Sequence, residues 1–205
     1  MATRVSWWNH ALAHLANDAR WVDLTTAYAD EGLDIADDLM TCYVNVVAGQ
    51  QVSVVSGRRL ADRLLDALNK AQGLDLALCL INMDEGGLRE FGFSRSKALA
   101  LKGLAQGYAQ GFATREALDD LSDEAIADRL TRIKGIGPWS VRMILLFGLG
   151  RPDVFPSDDL GVRRGMQRRF GPDCDMEATA RTCSPYRSAV TWLLWRTQTQ
   201  TPVQY

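Results

Sequence analysis

The chain has 205 residues, of which 47% are hydrophobic, and this length suits a single domain or two small lobes that share a core. Its formal net charge of −2 counts against a protein that coats nucleic acid through a general positive charge, although a local basic face remains possible. The four cysteines are too dispersed for a disulfide scaffold, and no apolar run is long enough to span a membrane.

Helical periodicity dominates the first part of the chain. Apolar residues recur at helical spacing from Trp8 to Ala19, and a helix that is apolar on most sides is predicted from Asp37 to Ala48. A polar turn containing Gln50 and Gln51 follows this helix. The next helix is predicted to begin at the capping residue Ser53 and to end near residue 69.

The middle of the chain carries a series of serine and threonine helix-start signals. A short apolar helix is predicted at 75–82, and Ser94, Thr114 and Ser122 each precede a new helical pattern. Lys97 lies in the helix that follows Ser94; we assign it to the solvated face of that helix, and a position near nucleic acid is the alternative.

The stretch from Leu130 to Gly165 is the one around which the chain is organised, and it predicts helix, glycine turn, helix, loop and helix. Gly135 is predicted to end the first helix, and Gly137 begins the second, with Pro138 at its first position. The glycines permit close approach, and a helix N-terminus offers unpaired N–H groups, so this turn can cradle one phosphate. A GxG pattern alone would equally fit an ordinary corner between two helices.

The last part of the chain also follows a helical pattern. Asp158 and Asp159 stand before a basic helix that Gly171 ends, and a further helix begins near Ser184. The run 52–55 is strand-like in composition, but its context is helical. The predicted fold class is therefore all-α.

Several motifs resemble the helix-hairpin-helix DNA glycosylase superfamily. KGIGPWS at 134–140 resembles its hairpin, and VFPSDDLG at 154–161 resembles its catalytic-aspartate loop. VAGQQVSVVSGRRLADRLL at 47–65 and PYRS…WR at 185–196 are less specific matches. The resemblance covers most of residues 5–197. It implies two helical lobes with a DNA-binding cleft between them, one from about 1–35 plus 171–205 and one from about 36–170.

Trp139 points to the 3-methyladenine DNA glycosylase II branch of this superfamily. Bifunctional members carry a lysine at this hairpin position that attacks the sugar, so no lyase activity is expected here. The iron–sulfur branch needs four closely spaced cysteines, which this chain lacks. The best-known bacterial members have an additional N-terminal β-rich domain, and this chain resembles the compact form without it.

The resemblance implies a catalytic role for Asp159. Cleavage of an N-glycosidic bond develops positive charge on the sugar, and a nearby carboxylate can stabilise that charge and hold water. Asp158 is then expected to cap the following helix, although the two roles could be exchanged. Trp139 and Trp195 match positions of the base pocket, where electron-rich rings can hold a cationic base. On composition alone, a tryptophan is more often a packing residue.

The resemblance also implies contacts with DNA. The hairpin residues Lys134, Gly135, Gly137 and Ser140 are expected to grip a DNA phosphate, and hairpin carbonyls could hold a monovalent cation, Na⁺ or K⁺. Gln51 matches the wedge that fills the gap left by a flipped base, and the alternative is a polar turn residue. Gln50 is expected to support the turn.

No other cofactor and no catalytic metal is expected. His10 and His14 are one helical turn apart, a spacing that could hold a metal, but no third ligand is evident.

The function that the resemblance implies is excision of alkylated purines such as 3-methyladenine and 7-methylguanine by hydrolysis, which leaves an abasic site for base excision repair. The expected partner is double-stranded DNA containing alkylated bases, and the protein is expected to be a monomer. We expect it in the cytoplasm, associated with the nucleoid if the source is bacterial. Two alternatives remain open: a non-catalytic hairpin protein that senses DNA damage, and a glycosylase for hypoxanthine or ethenoadenine.

Overall fold

The computed structural model describes residues 3–69 and 75–199, and these form thirteen α-helices, one π-helical segment and a two-stranded sheet. In chain order the elements are β1 (Thr3–Arg4), α1 (Trp8–Leu15), α2 (Val22–Ala27), β2 (Asp34–Ile35), α3 (Leu39–Gly49), α4 (Val54–Asn69), α5 (Leu76–Asn82), α6 (Glu85–Glu90), α7 (Arg95–Ala109), α8 (Arg115–Asp119), α9 (Asp123–Leu130), α10 (Pro138–Met143), the π-helical segment (Ile144–Gly148), α11 (Leu160–Phe170), α12 (Met176–Arg181) and α13 (Arg187–Arg196). The predicted helical fold class is confirmed. Among the described residues, no helix combines the length and the apolar character that a membrane span requires.

The chain divides into two compact units. In the part that the structure describes, the first unit comprises residues 3–35 and 145–199, and the second comprises residues 36–69 and 75–144. The prediction that one lobe runs from 36 to 170 is therefore wrong for residues 145–170, which belong with the two ends of the chain.

The reason is a set of contacts that fasten the loop before α11 to the last helix. The backbone N–H of Val154 donates to the Ser188 hydroxyl at 2.9 Å, and the Thr191 hydroxyl donates to the Val154 carbonyl at 3.1 Å. Arg187 pairs with Asp153, with 2.8 Å between Nε and Oδ1. These partners are more than thirty residues apart in sequence, so helical periodicity could not predict their association.

Aromatic rings form much of the core of the first unit. Helices α1, α11 and α12 all pack against α13. The rings of Trp8 on α1 and Trp192 on α13 meet edge to face at 5.1 Å, and both side chains are fully buried. The two short strands pair antiparallel, with Thr3 opposite Ile35. They bring the chain to the point where the second unit begins.

The second unit is organised around α3. Asp38 caps this helix by accepting hydrogen bonds from the N–H groups of Met40 and Thr41. Nearly every residue of α3 is buried, because α4, α7 and α10 all pack against it. The Tyr43 hydroxyl donates to the Ala113 carbonyl at 2.7 Å, so this buried polar group has a partner. The structure thus confirms a buried helix in this part of the chain.

Candidate active site

The carboxylate of Asp159 is held at the beginning of α11. Asp159 is the N-cap residue, and its Oδ1 accepts a hydrogen bond from the Val162 backbone N–H at 2.9 Å. Asp158 lies one position earlier and is exposed. The prediction that Asp158 caps this helix is therefore wrong, because the helix begins one residue later than that assignment requires. The positive end of the helix dipole also favours negative charge at this position.

Trp195 reaches the same carboxylate from α13. Its indole Nε1–H donates to Asp159 Oδ1 at 2.8 Å, and its ring stacks on Phe147 with 5.7 Å between ring centroids. Only 6% of Trp195 is exposed, so the ring has little surface left to offer a base. The base-pocket role of Trp195 stays a prediction; in the structure its indole contacts the carboxylate of Asp159.

Gly161 makes that hydrogen bond possible, and this role was not predicted from the sequence. A Cβ at this position would lie 2.8 Å from Cδ1 of Trp195 and 3.1 Å from Oδ1 of Asp159. Any side chain here would therefore push the indole away from the carboxylate. The only signal in the sequence was a glycine two residues after Asp159, within VFPSDDLG.

The hairpin lies in the second unit, and its two glycines differ in conformation and in packing. Helix α9 is capped by Ser122, as predicted, but it ends at Leu130 and not at Gly135. Gly135 has a φ of +89°, and a Cβ there would lie 2.9 Å from Cβ of Ala100, so packing as well as conformation requires glycine. Gly137 is the N-cap of α10, and a Cβ there would meet nothing within 4 Å.

The side chain of Ser140 faces the protein. The residue is 3% exposed, and its hydroxyl accepts a hydrogen bond from Gln50 Nε2 at 2.9 Å. The contact of Ser140 with a DNA phosphate stays a prediction, and in the structure its hydroxyl is engaged by Gln50. Lys134 remains exposed beside the hairpin, and Trp139 is half-buried in the first turn of α10.

Gln51 occupies an unusual position directly after α3. It is exposed and has a φ of +54°, a left-handed conformation that costs a side-chain-bearing residue roughly 1–2 kcal/mol. Lys97 Nζ donates to the Ala48 carbonyl at 2.8 Å, and burial lowers the pKa of this lysine. The assignment of Lys97 to a solvated helix face is wrong, because its amine caps the end of α3 beside the Gln51 turn.

Within residues 3–69 and 75–199, no group of three or more histidine, cysteine, aspartate or glutamate side chains is arranged to hold a metal ion. His10 and His14 are both exposed on α1. The monovalent cation at the hairpin stays a prediction.

Comparison with known proteins places this architecture in a family. A family model described as "HhH-GPD superfamily base excision DNA repair protein" matches residues 44–186. DNA-3-methyladenine glycosylase 1 of Schizosaccharomyces pombe is 34% identical over 160 residues, which are 75% of this chain and 70% of that protein. A putative DNA-3-methyladenine glycosylase of Bacillus subtilis is 28% identical over 94% of this chain and 71% of its own length.

Solved structures agree with this assignment. A Schizosaccharomyces pombe 3-methyladenine DNA glycosylase in complex with abasic DNA has a TM-score of 0.82 at 30% identity, covering 92% of this chain and 96% of the other. The 3-methyladenine DNA glycosylase of Archaeoglobus fulgidus, with a TM-score of 0.77 at 24% identity over 91% of this chain and 68% of the other, shows the same fold. The chain belongs to the helix-hairpin-helix superfamily of base excision DNA repair proteins.

Proposed function

We propose that this protein is a monofunctional DNA glycosylase that flips alkylated purines out of double-stranded DNA and hydrolyses their N-glycosidic bond. The observation that carries the proposal is the carboxylate of Asp159, which a backbone N–H and the Trp195 indole hold at the N-terminus of α11. Two relatives named DNA-3-methyladenine glycosylase support the substrate class. The product is an abasic site, and the protein acts as a monomer.

The chemistry of the substrate fits a site with one fixed carboxylate. A base such as 3-methyladenine or 7-methylguanine is already cationic, so it leaves without a proton from the enzyme. The sugar then carries oxocarbenium character, and Asp159 stabilises this charge and orients the attacking water. The half-buried ring of Trp139 offers a face on which a cationic base can stack, at about 0.5–2 kcal/mol.

The hairpin supplies the contacts with the DNA backbone in this proposal. The open approach at Gly137 leaves room for a phosphate beside the N-terminus of α10, with Lys134 exposed nearby. Carbonyls of the hairpin are the candidate ligands for a monovalent cation. Gln51, exposed and left-handed after α3, is the candidate wedge. Position 139 has no amine, so no Schiff base forms and the DNA strand is not cut.

The test is single-turnover release of 3-methyladenine and 7-methylguanine from methylated duplex DNA. Asp159→Asn should lower the rate on the order of 10²–10⁴-fold, because the amide can still cap α11 but carries no negative charge. DNA binding should persist.

Asp158→Asn is the matched control, because it makes the same carboxylate-to-amide replacement at the exposed neighbouring residue. This variant should keep the rate within about twofold of wild type. Equal rates for wild type and Asp159→Asn would overturn the assignment of the catalytic residue. If wild type bound the DNA and released neither base, a damage sensor or a glycosylase for another lesion would replace the proposed function.

A further inference from the structure

The turn after α3 joins two features that the proposed function uses separately. Gln51 projects from this turn with its left-handed φ of +54° and an exposed side chain. The side chain of the preceding residue, Gln50, reaches the hairpin, where it contacts Gly135, 85 residues later in sequence. The candidate wedge and the candidate phosphate site are therefore connected through a single side chain.

The Gln50 amide spans the hairpin. Its Nε2 donates one hydrogen bond to the Gly135 carbonyl at 3.0 Å and another to the Ser140 hydroxyl at 2.9 Å. Gly135 lies in the hairpin turn, and Ser140 lies after it, in the first turn of α10. Both protons of the amide are thus used, one on the turn and one on the helix that follows it. A movement of the hairpin cannot leave Gln50 in place without breaking one of these bonds.

The other side of the turn is fixed as well. Lys97 donates to the Ala48 carbonyl, and a Cβ at Gly57 would lie 2.9 Å from Cα of Gly49, so α4 approaches the end of α3 at backbone distance. The backbone on either side of Gln51 therefore has little freedom. Its rare left-handed conformation persists because the surrounding contacts determine it.

We propose that Gln50 is a positioning residue that couples the hairpin to the wedge, so that capture of a DNA phosphate sets Gln51 in register for insertion. The proposal rests on the proposed function, because it takes the hairpin as the phosphate site and Gln51 as the wedge. Gln50 acts through Gln51 and the hairpin, and it need not touch the DNA. An insertion step held in register in this way requires less reorganisation after the protein has bound.

The experiment replaces Gln50 with methionine, which keeps the length of the side chain but has no N–H to donate. Wild type, Gln50→Met, Gln51→Ala and the double variant are compared for binding to an intact duplex and to a duplex with a tetrahydrofuran abasic site. A 2-aminopurine beside the abasic position reports local unstacking by its fluorescence. Single-turnover release of 7-methylguanine is measured in parallel.

The coupling predicts a specific pattern. Gln50→Met should bind the intact duplex within about twofold of wild type, but its preference for the abasic duplex and its 2-aminopurine signal should fall about tenfold. The double variant should be no worse than Gln51→Ala alone, since Gln50 acts through Gln51. Ser140→Ala, which leaves the bond to Gly135 intact, should show a smaller loss.

Additive losses in the double variant would overturn the coupling, because a purely structural role of Gln50 would weaken binding whether or not Gln51 is present. If Gln50→Met folded poorly, Gln50→Glu would decide the matter, since this nearly isosteric carboxylate cannot donate to the Gly135 carbonyl. Failure of wild type to release 7-methylguanine would count against the proposed function. The abasic-site preference and the double-variant cycle would still accept or reject the coupling.

Discussion

At the scale of single residues, the candidate site depends on a carboxylate whose geometry is fixed from two directions. The α11 backbone and the Trp195 indole both donate to Oδ1 of Asp159, and the indole reaches it only because Gly161 has no Cβ. A hydrogen bond to a charged group contributes about 1.5–3 kcal/mol. Loss of this one donor should therefore be visible in the rate of base release.

Replacement of Trp195 with phenylalanine tests this contribution. The variant keeps an aromatic ring against Phe147 but has no N–H for Asp159, so single-turnover base release should slow about tenfold or more. Trp192→Phe is the matched control on the same helix, because its ring packs edge to face against Trp8 and Tyr28. The control should lose stability and keep its rate. Equal slowing of both variants would attribute the effect to packing and not to the hydrogen bond.

The sequence identified Asp159 and Trp195 as site candidates but could not show that they contact each other. The two residues are 36 positions apart, and the contact depends on how α11 and α13 pack. Asp159 caps α11 in place of Asp158 because the helix begins one residue later than predicted. Sequence patterns locate helix ends only to within one or two residues, so neighbouring cap candidates cannot be separated by them.

At the scale of elements, the serine and threonine helix-start signals were reliable, whereas contacts between distant residues could not be predicted. Ser94, Thr114 and Ser122 each cap a helix by accepting the N–H of its third residue, as predicted, because a cap involves only neighbours in sequence. Lys97 was misassigned because its partner, the Ala48 carbonyl, is 49 residues away. The hairpin combines both cases, since its turn is local but Gly135 is also packed against α7.

The two hairpin glycines should respond differently to alanine. Gly135→Ala introduces a Cβ in a left-handed conformation and against Ala100, and it should lower the free energy of unfolding by roughly 1–3 kcal/mol. Gly137→Ala has space for its Cβ and an extended backbone, so its cost should stay below about 1 kcal/mol. Urea unfolding of the two variants and wild type measures this difference.

For Gly137→Ala, the expected effect on DNA affinity is large although the expected effect on stability is small. If a phosphate approaches the open face at this position, the added methyl group obstructs it, and affinity for an intact duplex should fall about tenfold although the protein remains stable. Fluorescence anisotropy at one fixed salt concentration measures the affinity. Unchanged binding by a stably folded Gly137→Ala protein would contradict the phosphate site.

At the scale of the whole molecule, ion pairs hold together the discontinuous first unit. The pKa of Asp23 is lowered because Arg169 donates hydrogen bonds to it, and Arg196 lowers the pKa of Glu31 in the same way. Both pairs connect the first 35 residues with the last part of the chain. Neither link could be predicted from the sequence, which contains 23 basic and 25 acidic residues and does not indicate which of them meet.

A third carboxylate fastens the loop before α11. Burial alone would raise the pKa of Asp153, but hydrogen bonds from Arg187 and Ser184 outweigh burial, and the pKa is lowered overall. The structure thus places three carboxylates with lowered pKa values at the joints of one unit. Their contribution to stability should depend on pH in a direction that follows from the sign of these shifts.

Acid should therefore weaken the first unit. A carboxylate whose pKa is lower in the folded state stabilises the protein above its unfolded pKa, about 3.9 for Asp and 4.3 for Glu, and this contribution is lost as pH falls through the folded value. The thermal midpoint should change little between pH 7 and about pH 5 and then decline below about pH 4.5. Tryptophan fluorescence can follow this unit, because it contains five of the six tryptophans: Trp7, Trp8, Trp21, Trp192 and Trp195.

Asp153→Asn provides the matched variant for this titration. The amide keeps the size of the side chain but cannot ionise, so the variant should be less stable than wild type at pH 7, where the pair with Arg187 is lost. Because one group with a lowered pKa is then missing, its stability should fall less steeply between about pH 5 and pH 3, and the two curves should converge in acid. Parallel curves for wild type and Asp153→Asn would show that the Asp153 carboxylate is not a source of the acid sensitivity.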